Sequence, residues 1–361
     1  MRSPLLWTFV AAAVLLLAVG GWLLTDPATS HSDALKTGGL AGGAVVALYA
    51  LWLNDRRRKV EEARQEVERD RHTLELSRAE LDRERVGDER FAKSVELLGH
   101  EADQVRVGAL HALAGLARSR ESYRQTVLDV LCSYLRRPFT HPHSGEEEPV
   151  AKKKSVDAAA DRERQVRLTA QRLIGDLLPS HKAVDAPAYK LDLTGAELEY
   201  FDLSERTIGE LVMRYVSLHS STNLSKCRIL GPAYFTGAGT GHRRLGYFRC
   251  EETTFSDRAW FSGTMFHEDA VFRGTTFAGR TTFKNAVFAK EAVFVDAVRK
   301  DFFDLRNTRF EGFADLRFAG PPDSGALNNT TVALAKKPLL PPGWQLKELG
   351  ERTARIVPGR G

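Results

Sequence analysis

Cysteine is nearly absent: a chain of 361 residues holds three, Cys132, Cys227 and Cys250. An odd number at wide spacing supports neither a disulfide framework nor a zinc pattern. Other marks of chemistry are missing as well. There is no G-x-S-x-G, H-E-x-x-H, Walker A or dinucleotide fingerprint, and His141 and His143 have no cysteine or carboxylate companions at ligand spacing. A bias of charge is lacking too. The net charge is +5, and acidic and basic residues balance between Leu191 and Phe318, so no strong field draws in nucleic acid. The expectation is a non-enzymatic chain without catalytic, cofactor-binding or metal-ligating residues, whose partners do not include nucleic acid.

What the sequence does have is a short repeat. From Thr253 to Asp296 a small residue precedes a phenylalanine by two places, with Phe255, Phe261, Phe266, Phe272, Phe277, Phe283, Phe288 and Phe294 in succession. Their spacing of about six and five residues in turn fits neither a helical stripe nor a flat strand. It fits a coil with corners, in which each unit buries its apolar side against the next turn. If one coil has four faces, Phe255 lies beneath Phe277, Phe261 beneath Phe283, Phe266 beneath Phe288 and Phe272 beneath Phe294. Burying each ring is worth roughly 1.5 to 3 kcal/mol. Thr253, Ala259, Thr264 and Ala270 are small because the same interior receives the rings.

Read one unit at a time, Ala259-Trp260-Phe261-Ser262-Gly263, Ala270-Val271-Phe272-Arg273-Gly274 and Thr275-Thr276-Phe277-Ala278-Gly279 resemble the pentapeptide-repeat family. The resemblance continues upstream in Leu191-Asp192-Leu193-Thr194-Gly195, Ala196-Glu197-Leu198-Glu199-Tyr200 and Phe201-Asp202-Leu203-Ser204-Glu205. It implies a right-handed, quadrilateral parallel β-helix over 191–318. Two departures from the pattern matter. Trp260, Met265, Val271, Val287 and Val293 replace the polar residue that the family turns outward, which makes them an expected exposed docking stripe. The register also breaks at Gly237-Ala238-Gly239-Thr240-Gly241-His242-Arg243-Arg244, read as a surface loop because the Lys-Ser/Thr and the strand-to-helix context of a phosphate loop are absent.

The N-terminal end carries a second signal. Leu5 to Leu24 is almost unbroken apolar sequence with Trp7 and Trp22 near its ends, the length and belt pattern of a spanning helix. A polar loop over 25–36 leads to a second, shorter apolar run over 37–53. Arg56, Arg57, Arg58 and Lys59 follow at once; they suit lipid headgroups and place the C-terminal part in the cytoplasm by the positive-inside rule. A cleaved signal peptide is the competing reading of the first run.

Between the two signals the pattern is helical. Over 55–86, Val60, Val67, Leu74 and Leu81 recur at heptad spacing, but Ala63, Asp70, Ser77 and Glu84 at the partner positions are mostly polar, which describes a charged stalk able to form a weak homo-oligomeric coiled coil. Over 88–138 apolar stripes predict a small helical domain, with Val105 to Leu113 resembling one HEAT-type unit. A linker over 139–160 and an amphipathic helix over 161–178 follow, the helix placed to cap the first coil. The tail over 319–361 is rich in proline and reads as irregular, with Trp344 packing back. The fold class is therefore multidomain α and β: spanning helices, stalk, helical domain and β-helix. The expected role is a membrane-anchored scaffold for an unidentified protein partner. The alternatives are a DNA-mimic regulator of a topoisomerase and a self-assembling structural element.

Overall fold

A computed structural model describes residues 4–25, 31–142, 158–320 and 325–359. The expected linker over 139–160, His143 included, lies mostly outside them. The chain divides into two compact units, Met1–Val86 and Gly87–Gly361.

In the first unit, α1 spans Pro4–Leu24 and α2 begins at His31, inside the expected loop, and runs unbroken to Leu97. A Cβ on Gly42 of α2 would stand 3.4 Å from Leu16 Cδ1 and 3.5 Å from the Ala12 carbonyl of α1, so the missing side chain permits the close approach of the two helices. Among the described residues no helix is long and apolar enough to cross a membrane, which leaves the spanning assignments of 5–24 and 37–53 without structural support. Over the expected stalk α2 is a single helix with Val60, Val67, Leu74 and Leu81 exposed. Ion pairs one turn apart, Asp55 with Lys59 at 2.8 Å and Arg71 with Glu75 at 3.1 Å, run along its exposed surface.

The second unit is a parallel β-solenoid of about six turns, headed by helices. Its strands fall into four sheets of seven, six, six and five members, one sheet per wall. Corresponding residues lie 22 positions apart over most of the length, as Asn285, Asn307 and Asn329 do. Phe277 pairs over Phe255 and Phe288 over Phe266, and Phe283 and Phe294 stack on Phe261 and Phe272. Within the columns, stacked rings have centroids 4.6 to 5.4 Å apart and lie within 9° of parallel. Rings of neighbouring columns meet edge to face, as Phe272 and Phe283 do at 85°. Both arrangements suit the ring quadrupole.

The small position proves to have a polar task as well. Thr253, Thr264, Thr275, Thr308 and Thr330 are fully buried, and each hydroxyl donates to a carbonyl of the preceding coil, among them Leu224 at 2.6 Å and Phe235 at 2.7 Å. Corners turn through left-handed residues stacked on one another: Gly263, Asn285, Asn307 and Asn329 all have φ between 57° and 65°. Asparagine tolerates that region, and here the amide nitrogens of Asn307 and Asn329 also donate to the asparagine oxygen of the preceding coil at 3.0 and 3.2 Å. At another corner Gly312 passes so near Lys290 that a Cβ would sit 2.1 Å from its carbonyl oxygen.

The glycine-rich insertion bulges less than its sequence suggests. Gly237, Ala238 and Gly239 are buried within the coil, and the Gly239 N–H donates to the Val216 carbonyl, leaving 240–244 as the excess. The helical segment is not a separate domain either. α3 (Asp103–Ser119), α4 (Arg124–Arg136) and α5 (Ala158–Leu177) share one continuous apolar core with the solenoid. In the first coil, β1 is Lys190–Asp192 and β2 Glu197–Asp202. The edge amides there are met by helix side chains and a loop: Gln125 pairs with both the N–H and the carbonyl of Lys190, Gln171 accepts from the Glu199 N–H, and the Pro179 carbonyl accepts from the Thr207 N–H.

The far end departs from expectation. The tail is not irregular, because strands Trp344–Glu348 and Thr353–Pro358 form an antiparallel hairpin that pairs with Thr331–Ala333 at the last coil. The alternation that buries Ala354 and Ile356 while leaving Thr353 exposed drives this, and the prolines only punctuate it. Trp344 packs edge to face on Phe318, with the Arg299 guanidinium 4.1 Å over the Phe318 ring.

Substitutions at two positions test the ladder physics. Thr264→Val keeps the shape but removes one of the two bonds that the Phe235 carbonyl accepts, leaving that from the Ala238 N–H, and is expected to cost about 0.5 to 1.5 kcal/mol in urea unfolding, while Thr264→Ser restores most of it. Gly312→Ala is expected to lower the melting temperature, because backbone rather than a movable side chain blocks the new methyl.

Candidate functional site

The structure separates the residues singled out by sequence. Phe255, Phe261, Phe266, Phe272, Phe277, Phe283, Phe288 and Phe294 are at most 1% exposed and serve the interior alone. The expected docking stripe is not a stripe. Trp260 lies on one wall between Tyr234 and Thr282, Met265 and Val287 on a second, and Val271 and Val293 on a third. Val271 is buried and the other four are half-buried, because the neighbouring rung of the same wall covers part of each side chain. Arg56, Arg57, Arg58 and Lys59 are exposed on α2, and the Arg56 guanidinium lies 5.4 Å over the Trp52 ring.

The wall carrying Trp260 has features the sequence pattern did not reveal. Tyr234 and Trp260 meet edge to face at 5.4 Å. Arg214 lies 4.3 Å over Tyr234, Arg258 5.8 Å over Trp260 and Arg280 5.0 Å over Phe302. Arg258 and Arg280 stand one coil apart, and Arg214 joins them through Tyr234, which pairs beside Trp260. A guanidinium over an aromatic ring still presents hydrogen-bond donors to a carboxylate.

A second grouping lies where α5 meets the first coil. Arg167 is buried and donates to the carbonyls of Leu135 at 2.9 Å and Arg137 at 2.6 Å, capping the end of α4, while it also covers the Phe139 ring at 4.4 Å. Beyond Phe139, His141 stacks on His219 with centroids 3.9 Å apart. His219 Nε2 lies 2.7 Å from Glu197 Oε2, His141 Nε2 lies 3.4 Å from Glu199 Oε2, and Arg164 Nε donates to the same Glu199 oxygen at 2.6 Å. Burial alone would push both carboxyls up. For Glu197 the hydrogen bonds from His219 and Ser217, and for Glu199 the Arg164 guanidinium, outweigh it and hold each below the usual value.

Beside this cluster lies a cleft of about 410 Å³, lined in part by Gln171, Arg172, Tyr200, Asp202 and Arg206. Its charges are mixed, with Arg172 and Arg206 beside Asp176, Glu199 and Asp202. The cysteines lie elsewhere and are unreactive. Burial pushes the Cys132 and Cys227 thiols up to about 12 and Cys250 well above its ordinary value, so none is a thiolate at neutral pH. Among the described residues no group of three or more His, Cys, Asp or Glu side chains could hold a metal ion. Comparison with protein families, curated proteins and solved structures returns no match.

Both Glu197 and Glu199 remain ionised in the folded chain below the pH at which an unfolded glutamate, near 4.5, takes up its proton. Their stabilisation is therefore complete above about pH 4.5 and declines as the pH falls through their lowered values. Thermal melting from pH 7 to pH 3 is expected to show this loss. Glu199→Gln is expected to lower the melting temperature at pH 7 and to flatten the acid limb; an unchanged limb would place the acid sensitivity elsewhere.

Proposed function

We propose that this chain is a non-enzymatic scaffold of the pentapeptide-repeat type, held at a membrane by its N-terminal segment and offering the walls of its β-solenoid to a protein partner. The observation that carries the reading is the closure of the solenoid. Its interior is filled by stacked rings, α5 covers one end and the C-terminal hairpin lies against the other, so its side walls are what it has to present. The wall of Arg214, Tyr234, Arg258, Trp260 and Arg280 is the proposed contact surface. Its cations run against mimicry of a nucleic acid duplex, which would need a negative face.

Membrane attachment rests on the apolar run from Leu5 to Leu24, on the exposure of Leu17 and Trp22 on α1, and on the exposed cations from Arg56 to Lys59. With those cations inside, the second unit lies in the cytoplasm.

In-cell cross-linking followed by affinity capture tests the platform. A distinct protein is expected with the intact chain and not with Tyr234→Ser/Trp260→Ser, two outward positions whose loss spares the phenylalanine interior. Equal capture by both chains would refute the proposed wall, and capture of a topoisomerase would instead favour the DNA-mimic alternative. Retention of the intact chain in the membrane pellet after a high-pH wash, with release once residues 1–59 are removed, tests the anchor separately.

A further inference from the structure

The apolar repeat of α2 is longer than the stalk. Counting back by sevens from Leu81, Leu74, Val67 and Val60 reaches Leu53, Val46 and Gly39, so one seven-residue register runs through most of the helix. Val46 is 43% exposed and the four stalk residues are between 51% and 66% exposed. Gly39 has nothing within 4 Å of where a Cβ would lie, whereas Gly42 faces α1. The register therefore follows a side of α2 that α1 leaves open.

The charges beside this seam decide what it fits. If the apolar residues take the first position of the heptad, the fifth position is Arg64, Arg71, Arg78 and Arg85, an arginine each time, and the seventh carries Glu66, Thr73 and Glu80. In an antiparallel pair fifth positions face fifth positions, which sets arginine against arginine and Glu66 and Glu80 against each other or Thr73. In a parallel pair the seventh position faces the fifth position of the next heptad, bringing Glu66 to Arg71 and Glu80 to Arg85 of the other copy. We infer that α2 is a parallel self-association surface whose occupant is a second copy of this chain, with orientation set by these glutamate and arginine flanks.

The same register makes the association weak. Asp70 and Glu84 occupy the fourth position, where each meets its own counterpart, and Lys59 faces Arg64 of the other copy. A seam with one apolar column and one mostly polar column is a reversible contact, responsive to the local concentration of chains. This inference goes beyond the platform reading and does not depend on it.

Single cysteines in the full-length chain test it in cells, with mild oxidation and the buried native cysteines as background. Val60→Cys, Leu74→Cys and Leu81→Cys are each expected to give a covalent homodimer, whereas Gln65→Cys and Ala79→Cys, on the opposite side of the helix, are not. Cross-linking at Val60 and Leu81 together requires the parallel register, because an antiparallel pair carries those positions apart. Asp70→Leu replaces a repelling pair by a buried apolar one and is expected to strengthen association by about tenfold or more in sedimentation. Dimer yields at Val60 and Leu81 no higher than at Gln65 and Ala79, or an Asp70→Leu chain that sediments as the parent does, would overturn the inference. Neither readout involves capture by the solenoid, so failure here leaves the platform reading to its own test.

Discussion

Stacking of one phenylalanine on the next, at the separation of paired parallel strands, is the constraint from which the second unit follows. A ring can sit at 4.6 Å over its counterpart only if the coil returns to the same point after a fixed number of residues, and here that number is 22 over most of the length. The repeat of the sequence is the repeat of the column. Small residues beside each ring, left-handed corners and the near contact at Gly312 are what a coil of that circumference demands. The buried threonines show how tightly space and polarity are coupled, since the side chain that leaves room for the rings also satisfies a carbonyl of the coil beneath it.

A column that ends has to be finished, and the two ends are finished by different means. At the first coil α4 and α5 supply glutamine amides to edge groups of β1 and β2, and Arg167 ties the end of α4 to α5. At the last coil a hairpin continues one sheet in antiparallel sense and Trp344 closes over Phe318. Both devices cover apolar surface and edge groups that an open solenoid would leave for aggregation.

Much of this was legible. The phenylalanine spacing gave the vertical partners, and the amphipathic face of Val166, Ala170, Leu173 and Leu177 marked α5 as a cap. The tail was misread because Pro321-Pro322, Pro338 and Pro341-Pro342 dominate it, while the short alternation of Ala354 and Ile356 is only two residues deep. The docking stripe was misread for a geometric reason: residues five or six apart lie on different walls, and only those a full coil apart share one. For the same reason the Arg214, Arg258 and Arg280 wall was invisible, since no local pattern joins them. His141 gave no sign of its place because its partner, His219, and the carboxylates Glu197 and Glu199 belong to strands far along the chain.

The first unit obeys a different rule, a helix whose apolar side is narrow and whose charges carry most of the information. In the second unit the solenoid and its helical cap share one core and form a single cooperative body, and hydrogen exchange on the full-length chain is the most direct measurement of that. If the account is right, amides of α5 from Val166 to Leu177 exchange through the same opening, with the same free energy, as the strand amides from Glu197 to Asn223. Exchange of α5 orders of magnitude faster than those strands would show a helix resting on a solenoid that stands without it, and would contradict the account.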